Sequence, residues 1–206
     1  MPRRGHLLWA LLRNRTRRIA FIAIALLPIS ATSQTQATLN FTLPQTSIDW
    51  TLGDVLHTVN GQFSLKSGVV HFDPGSNAVS GLIVVDATSG NSGNGSRDHK
   101  MHREVLESDR YPEITFRPDR VAGKVLAQGT SNVEVHGMFD IHGGAHELSV
   151  PAQVELEPDH WTLTVHFDVP YVKWGLKDPS TFILKVEKTV AINLHASGPT
   201  PWTNPR

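Results

Sequence analysis

From about residue 38 onward, apolar and polar side chains alternate in short runs separated by turn residues, and no stretch sustains the 3.6-residue repeat of an amphipathic helix. That pattern predicts an antiparallel sheet with one wet face. The runs are residues 48–52, 69–72, 81–85, 114–116, 131–142, 147–156, 161–169, 182–186 and 189–195, with turn signals such as Asp73-Pro74-Gly75 between them. Eight or nine strands joined mostly by short connections predict a meander closed into a barrel rather than a layered α/β fold.

One segment departs from this alternation. Residues 96–108 place Met101 and Val105 at helical spacing, with Ser96 as the expected N-cap, and predict a short helix over about residues 97–107. Tyr111-Pro112 stops it, because the residue before proline avoids the helical region. Residues 197–206 contain three prolines and are expected to be a flexible tail.

The whole chain has 19 basic and 19 acidic residues and no cysteine. The missing cysteine excludes disulfides, thiolate metal sites and cysteine nucleophiles. The charge is unevenly placed: six arginines precede residue 19 and the first acid is Asp49, leaving thirteen basic against nineteen acidic groups, a formal −6, over residues 38–206. Such a balance argues against a nucleic-acid partner, which needs clustered cations. The arginines lead into an eleven-residue apolar stretch, residues 19–29. It is too short to span a bilayer, which takes roughly 20 residues, and suits a secretory leader. Residues 1–37 are therefore expected to be a signal peptide cleaved near residues 33–37, with a barrel domain over 38–196 in the periplasm or outside the cell.

The centre of the chain carries several short motifs in order: Ser92-Gly93-Asn94, Arg97-Asp98, Met101, Tyr111-Pro112-x-Ile114-x-Phe116 and Gly137-x-Phe139-x-Ile141-His142-Gly143. Upstream stand Val59-x-Gly61-x-Phe63 and Gly68-x-Val70-x-Phe72. Together they resemble the YceI-like family of small secreted, lipocalin-like proteins, and the upstream pair resembles that family's first hairpin. The resemblance implies an eight-stranded antiparallel β-barrel with one short helix, holding an isoprenoid lipid as its only bound group, with no catalysis and no cofactor. Ser92, Asp140 and the segment Gly144-Ala145-His146-Glu147 depart from the family pattern, and bear on the ligand's headgroup more than on the fold.

An eight-stranded barrel has an interior that side chains fill or leave open for one ligand. The candidates for lining it are Phe63, Phe72, Leu82, Val84, Met101, Val105, Phe116, Val135, Gly137, Phe139, Ile141 and Phe167, with Ile114, Leu163, Val165, Phe182, Leu184 and Val186 as further possibilities. Taken singly, each fits a dry core equally; the set as a whole supports a cavity. Gly137, inside an inward-facing series, is expected to leave room or mark a bend. Arg97 and Asp98 either gate the lumen, with Arg97 meeting a lipid phosphate or hydroxyl, or fix the loop and helix start. Tyr171 and Trp174, in a loop with Lys173 and Lys177, either cap the barrel or touch a membrane surface transiently.

Two other functions remain open at this point. His102, His142 and His146 supply neutral imidazoles for a metal-dependent enzyme, although His142 and His146 flank a Gly-Gly turn rather than sitting on one helix. A dry interaction or stress-response module is the other. No G-x-S-x-G elbow is present and no catalytic residue is assigned. Oligomeric state, a dimer included, is left open.

Overall fold

Apart from the first strand, every strand lies beside its sequence neighbour, and the last returns to the second. A computed structural model describes residues 36–53, 57–182 and 185–202; the expected leader with its apolar stretch falls outside them, apart from residues 36 and 37. The strands are β1 (Ala37–Phe41), β2 (Thr46–Gly53), β3 (Thr58–Asp73), β4 (Ala78–Asn91), β5 (Glu113–Ala122), β6 (Gly129–Ile141), β7 (Gly144–Leu156), β8 (His160–Val169) and β9 (Val190–Pro199). All pairings are antiparallel, and β2 pairs β9 from Thr46↔Ala196 to Thr51↔Ala191, which closes the ring. β1 and β2 lie along the same edge of β3 and act as one interrupted strand. The result is a closed eight-stranded barrel.

Local chemistry sets the corners. The β6–β7 hairpin turns on His142 and Gly143, both at positive φ (52° and 74°), as a two-residue turn matching the twist of its strands requires. After β3, Asp73 accepts from the Gly75 N–H at 2.8 Å and the Ser76 hydroxyl at 2.7 Å. The two upstream motifs both fall on the single 16-residue strand β3, with irregularities near Ser64 and Leu65–Ser67.

Between β4 and β5 comes α1 (Gly95–Lys100), continued by a π-helical turn at Met101–Val105. Its N-cap is Asn94, whose side chain accepts from the Arg97 N–H at 3.1 Å, and not the expected Ser96. The strand order puts this helix, the β2–β3 and β6–β7 turns and the β8–β9 connection at one end of the barrel. The turns after β3, β5 and β7, together with residues 199–202, lie at the other.

Two expectations change. Residues 182–186 do not form a strand among the described residues: Phe182 is 98% exposed, and the segment's backbone is held by side chains. Ser180 Oγ accepts from the Val186 N–H at 3.0 Å, and the Tyr171 hydroxyl donates to the Glu187 carbonyl at 2.7 Å. The tail expected from residue 197 is barrel wall as far as residue 202. β9 runs through Pro199, Pro201 is buried, and Trp202 bridges Ala37 and packs on the core. Proline tolerates this position because an edge segment needs few ladder donors.

Candidate functional site

Inward residues of the strands gather in two apolar clusters. One, towards the chain ends, is built around Phe41, Phe72, Val133, Leu156 and Trp161, with Phe41 and Trp161 rings 5.4 Å apart. The other, under the helix, is built around Leu106, Ile114, Phe139, Val169, Tyr171 and Leu176. A cavity of about 510 Å³ touches both and so runs through the barrel. Phe63, Phe116, Val135, Leu148, Leu163, Phe167, Ile192 and Leu194 line it and are only half-buried, although they point inward. The surface they keep faces this lumen. Outward residues of the same strands, such as Thr164, His166, Asp168, Asn193 and His195, are polar and exposed, which makes the outer wall wet.

Of the candidates, Phe63, Phe72, Arg97, Met101, Val105, Phe116, Val135, Phe139, Ile141, Phe167 and Tyr171 border the cavity, as do Ile114, Leu163, Val165 and Val186. Six candidates are placed elsewhere. On β4 the lumen is bordered by Val79, Ile83 and Val85, so Leu82 and Val84 face the other way; Leu82 is 37% exposed, and Val84 is buried but belongs to neither apolar cluster. The run Leu82-Ile83-Val84-Val85 is apolar throughout and carries no parity of its own. Gly137 leaves no room: a Cβ there would stand 2.3 Å from the Arg117 carbonyl oxygen, so the glycine marks a close approach of β5. Asp98 points into the loop, accepting from the Ser92 N–H at 2.9 Å and from its hydroxyl. Trp174 stacks on His146 at 4.3 Å and 5° and meets Phe139 at a tilt of 41° and 5.6 Å, capping the wall without bordering the lumen. Phe182 is in solvent, and Leu184 lies outside the described residues.

Arg97 does two things. Its Nε donates to Ser92 Oγ at 2.7 Å and Nη2 to the Ser92 carbonyl at 3.2 Å, and its stem borders the cavity. One turn on, Lys100 borders it too and donates to the Pro179 carbonyl at 3.1 Å. Lys177 Nζ meets Glu104 at 2.6 Å, and this hydrogen bond holds the Glu104 carboxyl below its ordinary range. Helix and β8–β9 loop are thus tied together over one mouth. The phenol of Tyr171 is pushed up to about 12, first by burial and then by Asp178. Sequence reading missed Lys100, Trp50, Ile192, Leu194 and Trp202. Strand parity and the three-residue spacing from Arg97 were the available signals.

The three histidines do not converge. His102 donates from Nε2 to the Gly90 carbonyl at 2.8 Å, which leaves Nδ1 to accept from the buried Ser108 hydroxyl at 3.1 Å. His142 packs on Tyr111 and lies 3.3 Å from Glu107, while His146 is under Trp174. Among the described residues, no three His, Asp or Glu side chains are gathered as a metal ion needs. The metal-enzyme alternative therefore has no assembled ligand set.

A closed antiparallel barrel around an apolar lumen defines a class of small-ligand binding folds. The sequence pattern of the YceI-like domain matches residues 31–197, and the chain belongs to that family. Among solved structures it is similar to Burkholderia cenocepacia BcnA, with 19% identity over 77% of this chain and 99% of that one, TM-score 0.63. It is also similar to a polyisoprenoid binding domain from Saccharophagus degradans implicated in plant cell wall breakdown, with 13% identity over 80% and 99%, TM-score 0.59. A Campylobacter jejuni YceI protein matches at 16% identity over 66% and 83%, TM-score 0.54. A search of curated proteins found none similar in sequence.

Proposed function

We propose that this protein is an exported, non-catalytic carrier that sequesters an isoprenoid-type apolar ligand in its lumen, working in the periplasm or outside the cell after its leader is removed. The observation that carries this reading is the 510 Å³ apolar cavity running through the barrel, a volume within the range of small-molecule sites. Family membership and the fold it shares with the Saccharophagus polyisoprenoid binding domain support it. Each five-carbon isoprene unit moved from water to such a wall gains about 4 kcal/mol at 0.8 kcal/mol per carbon, before the costs of ordering. Burial alone therefore suffices for tight binding.

A carrier must also reach its ligand's source. The fully exposed Phe182 precedes Lys185 and Lys188 by three and six positions, in the loop between β8 and β9 on the helix side of an otherwise acidic barrel. An exposed apolar ring followed in the same loop by two lysines suits transient contact with an anionic membrane surface.

Native mass spectrometry of protein extracted gently from its host tests the carrier reading. A co-purifying hydrophobic adduct, or saturable uptake of farnesol by emptied protein, is the expected result. Protein that neither carries nor takes up an apolar ligand would overturn it.

A further inference from the structure

The last rung of the barrel, at the end remote from the helix, carries one large side chain that is not fully packed. Ala37 borders the cavity and forms an antiparallel bridge with Trp202. Directly opposed residues of such a pair present their side chains to the same face, so the Trp202 indole points inward. From Trp202 the inner wall continues through Ala37 to its partner Phe72 and on to Val79. Ala37 and Val79 are small, and Phe72 is packed into the remote cluster at 6% exposure. Trp202 borders the cavity and packs on the same cluster, yet stays half-buried. An indole set among small neighbours reaches over the opening they leave.

The main chain holds this residue in place. The Thr38 N–H donates to the Pro201 carbonyl at 2.9 Å, and the Thr200 N–H to the Asp159 carbonyl at 2.9 Å. Neither bond involves the indole, so the strap from Pro199 to Trp202 keeps its course when the ring is removed.

A second observation is the length of the lumen. On β6 the inward series borders the cavity from Val133 to Ile141. Those steps, at about 3.3 Å per residue and tilted by roughly 40° from the barrel axis, give about 20 Å. An isoprene unit adds four chain bonds of about 1.5 Å, or roughly 5 Å when extended. About four units therefore fill the lumen.

Resting on the carrier reading, we propose that Trp202 is the floor of the lumen and sets the length of prenyl chain that the barrel takes. One end of the chain abuts the indole, and a chain of more than about four units leaves the excess in water, where it adds nothing to affinity.

The test is calorimetric titration with geraniol, farnesol, geranylgeraniol and geranylfarnesol, each one isoprene unit longer than the last and all ending in the same hydroxyl. In wild-type protein the early steps should each tighten binding about tenfold or more, and the gain should stop by geranylfarnesol. Trp202→Ala clears a space larger than one isoprene unit, so the step at which wild type stops should become about tenfold in the variant. Each protein is judged by the ratio of its own affinities, and a cooperative urea transition shows that the variant is folded. Should Trp202→Ala not fold, Trp202→Leu carries the same test with a smaller gain. Affinity that still climbs tenfold at geranylfarnesol in the wild type, or a stop that stays in place in the folded variant, would overturn the floor and leave the carrier standing. If none of the four prenols binds, both readings fall.

Discussion

Replacing Val135 by phenylalanine asks whether the barrel's centre is empty. Val135 lies on β6 between Val121 and Val150 of the adjacent strands, faces inward, and keeps accessible surface only towards the lumen. Phenylalanine adds four carbons. If they extend across open space to the opposite wall, they gain at most about 3 kcal/mol at 0.8 kcal/mol per carbon. In a filled core the same change overpacks and costs about 1–3 kcal/mol. The sign of the effect separates the cases, since both residues are good strand formers. Urea unfolding should give an unchanged or higher midpoint with the same slope. Farnesol should bind at least about tenfold more weakly, because the new ring takes space worth up to one isoprene unit. A midpoint lowered by more than about 1 kcal/mol, with farnesol binding untouched, would refute the reasoning.

Three further outcomes are expected. Gly137→Ala places a methyl 2.3 Å from one backbone atom of Arg117 and 2.9 Å from another, so it should destabilise by about 1–3 kcal/mol, and an unchanged urea midpoint would contradict the close approach. Tyr171 holds its proton up to about 12 in the folded state against an ordinary value of 10.0; stability from this group is intact below pH 10 and lost as pH rises through 12, and wild type should lose ground to Tyr171→Phe only above pH 10 in paired unfolding curves. Phe182→Ser should lower retention on vesicles containing an anionic lipid without altering farnesol affinity in solution; equal retention would remove the loop from membrane contact.

The barrel was legible in the sequence because most strands alternate cleanly. On β6 the series Val133, Val135, Gly137, Phe139 and Ile141 fixes one face, and this is the inward face observed. Legibility failed where alternation fails. Four consecutive apolar residues on β4 give no face, so partner register, which is non-local, put Ile83 and Val85 inside instead of Leu82 and Val84. Gly137 read as space because a missing side chain looks the same in sequence whether it admits a ligand or a neighbouring backbone. Trp174 found its partner in His146, 28 positions away across the hairpin end, a pairing no local pattern encodes. Lys100 stands three residues after Arg97 in sequence, but its place on the rim depends on where the helix docks.

The two ends of the barrel chain are stitched side by side: Ala37 bridges Trp202, and the Thr38 N–H donates to the Pro201 carbonyl at 2.9 Å. They meet at the end remote from the helix, so the first and last described strand ends and the helix-side mouth lie on opposite poles. A circular permutant that joins residue 202 to residue 37 through a short linker and opens elsewhere should keep its shape. Reporters or surface tethers fused at residue 37 or residue 202 would point the helix-side mouth away from their support.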